Sequence, residues 1–194
     1  FGVLGSFYTA IQPILQRSPY FNDLPSDVRR VLVQNNLSGT GAFNAMFASH
    51  EAKIYENESY VLPCSEIDGA EYTHTWPQRV ERFQPNATLI KMMLVILAFS
   101  SNCSLVLPRQ AATLANTSPE RTLALVRTQD ALVLILWKYL VYQYGFLDAV
   151  RRFDRLVRNY MELLNRMSEN RSREHHEMID TITVKTTQAL TWDG

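Results

Sequence analysis

Apolar positions recur every three or four residues along most of the chain, which is the spacing of helices with one buried face. The first such run spans residues 1–16. We expect this helix to end near Arg17, because Ser18 precedes Pro19 and the residue before a proline avoids helical geometry. The pattern then predicts two further helices, over residues 25–36 and 38–55.

Residues 57–85 interrupt this periodicity with prolines and a glycine, and they include one candidate strand at residues 60–62. Helical spacing returns in the second half of the chain, where Asn86 is a predicted helix cap and Gly145 a predicted helix end. The helices predicted there span residues 86–101, 119–144, 147–167 and 172–190. The whole pattern indicates a single all-α domain over residues 1–194, built from about eight helices.

The amino-acid composition limits the classes of protein to which this chain could belong. Of the 194 residues 46% are hydrophobic, enough for one domain with a sizeable core. Nineteen basic and nineteen acidic residues cancel, so a surface that binds nucleic acid directly is not expected. The chain begins without a basic leader or an initiator Met, and we expect it to be a domain of a longer protein.

Two apolar stretches and two cysteines raise the questions of membrane insertion and disulfide bonding. The stretches, residues 89–107 and 131–147, carry polar interruptions such as Lys91, so buried helices are expected rather than membrane spans. Cys64 and Cys103 are too few for a disulfide framework or a four-cysteine zinc site. Reduced, buried thiols are expected instead.

Signals for catalysis are sparse. No glycine-rich phosphate loop, G-x-S-x-G elbow or C-x-x-C pair occurs. The best candidate for a metal site is the sequence H-E-x-x-D, in which His176, Glu177 and Asp180 lie on one predicted helix. It differs at one position from the H-E-x-x-H motif of zinc proteases. Aspartate replaces the second histidine there, and no third histidine follows. We therefore predict no metal site, no cofactor and no enzymatic activity.

Six N-x-S/T glycosylation sequons occur in the chain, whereas its Asn, Ser and Thr content predicts about one or two by chance. The sequons begin at Asn36, Asn57, Asn86, Asn102, Asn116 and Asn170. This excess favours a secreted helical signalling glycoprotein, which remains the alternative function.

Three blocks of sequence carry a resemblance to a known family. The first holds Pro19, Phe21, Leu24, Leu32 and Val33. It resembles the P-x-F-x-x-L-x-x-x-D-Q-x-x-L-L signature of nuclear hormone receptor ligand-binding domains, with Val28 and Arg29 replacing the Asp-Gln pair. Residues 86–100 are similar to the eighth helix of that family, and residues 136–156 to its ninth and tenth helices. The blocks occur in the family's order and spacing, and indicate a divergent invertebrate orphan type.

The resemblance implies a three-layer antiparallel α-helical sandwich, running from within the family's third helix to about its eleventh. A pocket for a small lipophilic molecule would lie between the first helix, the glycine-rich helix, the segment at 60–62 and the last helix. The implied lining residues are Val3, Leu4, Phe7, Leu37, Gly41, Ala45 and Ala48.

The resemblance also implies two protein-binding surfaces. A groove for coregulator proteins would involve Gln16, Ser26, Arg30, Val33 and Gln34. Gln16 and Gln34 stand where the family has the basic residues that clamp an L-x-x-L-L helix, so the clamp is expected to be weak. A homo- or heterodimer would form through the helix at residues 147–167, with an interface at Phe153, Leu156, Tyr160, Leu163 and Leu164. A Tyr160→Glu change is expected to disrupt that dimer without unfolding the domain.

The expected function is therefore ligand binding and dimerisation within a nuclear transcription factor that contacts DNA only through an upstream zinc domain. The arginines interleaved in residues 147–167 have two interpretations, a solvated basic face or part of a partner interface.

Overall fold

A computed structural model of the chain describes residues 2–68, 70–75, 77–78, 86–100, 119–169 and 173–191. Within these residues every regular element is a helix, so the predicted all-α class is confirmed. The α-helices are α1 (Gly2–Thr9), α2 (Gln12–Gln16), α3 (Pro19–Asn22), α4 (Ser26–Glu51), α5 (Glu58–Asp68), α6 (Ala70–His74), α7 (Ala87–Ala98), α8 (Pro119–Tyr144), α9 (Phe146–Glu169) and α10 (Arg173–Thr191). A short 3-10 turn at Ile54–Glu56 joins α4 to α5.

The first predicted helix is divided into two. The prediction of one helix over residues 1–16 is wrong, because α1 ends at Thr9 and α2 begins at Gln12 with Pro13 in its first turn. Proline has no backbone N–H, so it cannot donate the bond that would continue the first helix across this point. The break predicted at Ser18 is confirmed, since its backbone is extended immediately before Pro19.

The two helices predicted over residues 25–36 and 38–55 are one continuous helix, α4, of 26 residues. Two glycines inside it permit other helices to approach closely. A methyl group added at Gly39 would lie 2.7 Å from the Tyr160 hydroxyl of α9, and one added at Gly41 would collide with the Tyr8 ring of α1. The absence of side chains at these glycines therefore serves packing and does not end the helix.

The candidate strand at residues 60–62 is also wrong, because these residues belong to α5. Asn57 starts this helix: its carbonyl accepts bonds from the backbone N–H groups of Tyr60 and Val61, and its Oδ1 atom accepts one from Ser59. Capping bonds of this kind satisfy the first turn of a helix. They outweigh the strand preference of a short β-branched and aromatic run.

The helices of the second half agree closely with the sequence pattern. Asn86 caps α7, since its Oδ1 atom accepts the backbone N–H of Leu89 at 3.0 Å. Gly145, with φ of +77°, separates α8 from α9 as predicted. The predicted polar loop before Pro119 lies outside the described residues. None of the described helices is both long and apolar enough to cross a membrane.

Helix α4 lies at the centre of the fold and packs against α1, α7, α9 and α10. Helix α8 joins the same body by packing on both α7 and α9. Fully buried side chains of α4 include Leu32 and Phe43, and they belong to one apolar core that extends from α2 to α10. Most of the described helices are therefore arranged around this single helix.

One polar side chain lies deep in this core. Asn36 of α4 is 2% exposed, and its Nδ2 atom donates to the carbonyls of Ala98 at 3.1 Å and Ser100 at 2.8 Å. Both carbonyls lie at the end of α7, where backbone acceptors lack partners within the helix. Asn36 thus fixes the end of α7 to the middle of α4.

We predict that Asn36→Ala lowers the free energy of unfolding by about 2 kcal/mol, because it removes these bonds and leaves two buried carbonyls unpaired. Urea denaturation of the purified domain measures this change. Gln34→Ala is the control, since Gln34 is an exposed residue of the same helix and its truncation should cost at most about 0.5 kcal/mol. Equal midpoints for the two variants would contradict the assigned role of Asn36.

Candidate ligand and partner surfaces

The residues assigned to a ligand pocket lie at the contact between α1 and α4. Leu37 and Gly41 are buried there, while Phe7, Ala45 and Ala48 are half-buried. The side chains of Val3 and Leu4 lie outside the described residues. The described members therefore belong to two helices that pack on each other, and that a ligand binds between them stays a prediction.

Two further side chains determine how α1 and α4 meet. The Tyr8 ring lies against Gly41, and the Nδ2 atom of Asn44 donates to the carbonyl of Phe7 at 3.0 Å. The sequence pattern identified Tyr8 as a buried position but did not identify its partner glycine. Asn44 gave no signal, because a single polar residue in a helix is usually exposed. At the predicted ligand site, the Tyr8 ring therefore packs directly on Gly41, beside the hydrogen bond from Asn44.

The residues assigned to the coregulator groove lie on α2 and on the first turns of α4. Gln16, Arg30 and Gln34 are exposed, Ser26 is half-buried and Val33 is buried. Ser26, Arg30 and Val33 share one side of α4 because their spacing is close to whole helical turns. A buried apolar residue, Val33, thus lies among polar side chains on this side of α4, and that a coregulator binds here stays a prediction.

The last helix of the chain also reaches this region. Helix α10 packs against α1, α2 and α4. Its Ile182 lies beside Gly5 of α1, and the carbonyl of Leu190 accepts a bond from Nη1 of Arg29 at 3.4 Å. Sequence reasoning identified Arg29 only as a departure from the family signature and missed this contact.

Most of the residues assigned to a dimer interface lie in the core of the chain itself. Leu156, Tyr160, Leu163 and Leu164 are buried within the chain, and Phe153 is half-buried. The Tyr160 ring meets Phe43 of α4 edge-on, with ring centroids 5.7 Å apart. The most regular apolar stripe of α9 therefore faces inward, because α4 offers it a glycine and a phenylalanine to pack on.

A second set of apolar side chains on α9 faces outward, and we call it the outer stripe. Its members are Phe146, Leu147, Val150, Val157 and Met161, all of them exposed. Arginines border the stripe: Arg151 pairs with Asp148 at 3.2 Å and Arg158 with Asp154 at 2.9 Å. These pairs are exposed and contribute little to folding.

The three blocks of sequence that carry the family resemblance contact one another. Phe21 of the first block meets Phe99 of the second edge-on, with ring centroids 6.4 Å apart. In the next contact, Asn86 Nδ2 donates to the Tyr144 hydroxyl at 2.6 Å, which links the second block to the third. Within the third block, the Arg152 guanidinium lies 4.0 Å from the centre of the Tyr144 ring. The blocks therefore form one continuous network from α3 to α9.

The motif at residues 176–180 does not form a metal cluster in the described structure. His176, Glu177 and Asp180 are all exposed on α10. Within the described ranges, no three His, Cys, Asp or Glu side chains come together in a way that could hold a metal ion. The second predicted thiol, Cys103, lies outside these ranges, whereas Cys64 is buried as expected.

The sequons differ in their accessibility. Asn36 is buried in the middle of α4, so a glycan there is incompatible with the fold. The amide of Asn86 already bonds to the Tyr144 hydroxyl, whereas Asn57 is exposed. The other three sequon asparagines lie outside the described residues. At least one of the six sequons, the one at Asn36, therefore gives no evidence for secretion.

Comparison of the chain with protein-family models, curated proteins and solved structures gives no match. The family resemblance therefore depends on the three blocks of sequence alone.

We predict that Tyr160→Glu unfolds or strongly destabilises the domain, which replaces the earlier expectation of a folded monomer. A carboxylate between Phe43 and Gly39 lacks the solvation it needs, and the expected loss is at least about 3 kcal/mol of unfolding free energy. Chemical denaturation followed by circular dichroism measures it.

Val157→Glu is the matched control, because it introduces the same charge one turn earlier on α9 at a position 37% exposed. This variant should fold with a loss below about 1 kcal/mol. A Tyr160→Glu protein as stable as the Val157→Glu protein would place the Tyr160 side chain outside the core.

Proposed function

We propose that this chain is the ligand-binding and dimerisation domain of a nuclear receptor transcription factor. The observation that carries the proposal is the packing of the three resembling blocks on one another, through Phe21 with Phe99 and Asn86 with Tyr144. These contacts bring the three blocks together in one part of the core, as the resemblance implies. The three-layer helical arrangement of that family is part of the proposal.

In this function the domain acts by binding and not by catalysis. A small lipophilic molecule would enter between α1 and α4, where the half-buried Ala45 and Ala48 leave short side chains on the facing surface. Pockets for such ligands are mostly apolar with few polar groups, and Asn44 and Tyr8 are the polar groups nearby. The protein would work in the nucleus and reach DNA through an upstream zinc domain.

Ligand binding is tested by incubating the purified domain with a lipid extract and recording native mass spectra and thermal unfolding. A ligand at a hundred times its Kd should raise the unfolding free energy by about 2.7 kcal/mol. Ala45→Phe should abolish both the bound mass and the stabilisation by filling the space. Ala131→Phe, at an exposed position of α8, is the control and should leave both unchanged.

Transcriptional function is tested separately by fusing residues 1–194 to a heterologous DNA-binding domain and measuring a reporter gene. The fusion should change reporter output relative to the DNA-binding domain alone, and Ala45→Phe should remove the response to lipid. A fusion that is inert with every extract, together with unmodified spectra, would contradict the proposal. Glycan mass on the secreted native protein would instead support the signalling glycoprotein.

Dimerisation is assigned to the outer stripe, since the inner residues of α9 are already buried. Five large apolar side chains are exposed on one side of this helix, and exposed apolar patches often mark protein-binding surfaces. We predict that Val150→Glu weakens self-association at least tenfold, as measured by sedimentation velocity over a range of concentrations. Val184→Glu, on the exposed side of α10, is the control and should leave the association unchanged. Equal sedimentation of both variants and the parent would exclude this interface.

A further inference from the structure

Helix α5 presents a row of acidic and apolar side chains to solvent, which we call the acidic row. It consists of Glu58, Leu62 and Glu66, whose spacing of four residues places them on one side of the helix. All three are exposed, and Leu62 is 62% exposed although it is a large apolar residue. Within the described residues, neither glutamate takes part in an ion pair. A partner of opposite charge could therefore bind the row without breaking an existing contact.

Helix α8 presents the opposite arrangement on its outward side, which we call the basic row. Its members share one side of the helix because they lie four, seven and four residues apart, and all of them are exposed. They are Leu123, Arg127, Leu134 and Lys138. In the part of the chain that the structure describes, neither cation pairs with an acid. Leu134, which is 50% exposed, thus lies between two unpaired cations.

The charges of the two rows differ from those along α9. There, Arg151 is paired with Asp148 and Arg158 with Asp154 on the same helix. A charge that has no partner on its own helix keeps its full attraction for a charge on another molecule. The two rows are therefore the better candidates for a contact directed by charge.

The composition of the basic row favours a protein partner over a membrane. Anionic lipid surfaces are bound by clusters of about four to eight basic residues. This row has two cations, and the exposed Asp130 lies between them along the helix. A segment with two acids around one apolar residue is a closer match, and α5 of the same chain supplies it.

The spacings of the two rows agree. At 1.5 Å per residue, each glutamate lies about 6 Å along α5 from Leu62. Along α8, Lys138 lies about 6 Å and Arg127 about 10 Å from Leu134. The long arginine side chain can span the remaining difference of about 4 Å. Leu62 placed on Leu134 therefore brings the glutamates towards the two cations.

The two rows do not cover each other within one molecule. Helix α5 packs on the 3-10 turn, α6 and α10, whereas α8 packs on α7 and α9. Leu62 and Leu134 also both remain exposed in the folded chain. A contact between the rows therefore requires two copies of the chain.

We propose that the basic row of one copy of this chain docks on the acidic row of a second copy. Because the two rows are different surfaces, the contact is heterologous, and each copy keeps one row free for a further copy. The contact uses none of the residues of the outer stripe of α9. It goes beyond the proposed function and does not depend on it.

Sedimentation velocity of the full 194-residue chain carrying Val150→Glu tests this contact, because that change weakens the association assigned to the outer stripe. The protein should self-associate at low ionic strength. Salt at about 1 M, which shortens the screening length to about 3 Å, should weaken this association about tenfold. A protein that stays monomeric at low ionic strength, or that associates equally at both salt concentrations, would overturn the proposal.

Reversing the charge of either row should separate the copies. Arg127→Glu with Lys138→Glu makes both rows acidic, and Glu58→Lys with Glu66→Lys makes both rows basic. Each double variant alone should be monomeric at low ionic strength. An equimolar mixture of the two should associate again, because each variant supplies the row that the other lacks. A mixture that stays monomeric would overturn the proposal.

The reversed residues are all exposed, so both double variants should fold, as circular dichroism can establish. The matched control is Lys91→Glu with Lys185→Glu, which changes the net charge as much as the reversed basic row does, at exposed positions of α7 and α10. This control should associate like its parent. A control that is as monomeric as the reversed variants would assign the effect to net charge and overturn the proposal.

Asp130 allows a measurement in the opposite direction that needs no charge reversal. Asp130→Asn removes the one acid between the two cations and should strengthen the association several-fold, because the approaching glutamates no longer meet a like charge. Unchanged or weaker association would contradict the docking. Binding of the parent to phosphatidylserine vesicles, found without self-association, would assign the basic row to a membrane surface and overturn the proposal.

Discussion

The packing of α4 against four other helices is the constraint on which the other features of the domain depend. A helix covered on several sides must let its neighbours approach closely and must pair with the backbone groups that they bury against it. Gly41 under the Tyr8 ring and Gly39 beside Tyr160 meet the first requirement. Asn36 meets the second by donating to the end of α7. These contacts select one arrangement of the surrounding helices.

The surfaces proposed for binding are consequences of this arrangement. Helix α1 contributes one wall of the ligand site because Tyr8 positions it across the C-terminal half of α4. Helix α10 reaches the N-terminal half of the same helix, where Arg29 binds its last turn.

Helix α9 illustrates how a single amphipathic helix can present two apolar faces with different roles. Its inner face, with Tyr160 and Leu164, stabilises the chain itself. Its outer stripe is exposed and bordered by Arg151 and Arg158, whose charges are balanced by aspartates within the same helix. Local ion pairing keeps this border nearly neutral, which suits an interface whose stability comes from apolar burial.

The sequence by itself determined the helical class, the ends of α8 and α9 and the cap at Asn86, because these depend on spacing and local hydrogen bonds within a few residues. It did not determine that residues 26–51 form one helix, because the pattern predicted a break between residues 36 and 38. The rings that pack on Gly39 and Gly41 belong to distant helices. Nor did it decide which face of α9 is buried, because both faces are apolar and only the contact with Phe43 distinguishes them. The role of Arg29 was equally hidden, since its partner carbonyl belongs to a residue 161 positions away. The tertiary structure determines these three features because each depends on which helix surfaces pack together. The spacing of residues along one helix carries no information about the helix that packs against it.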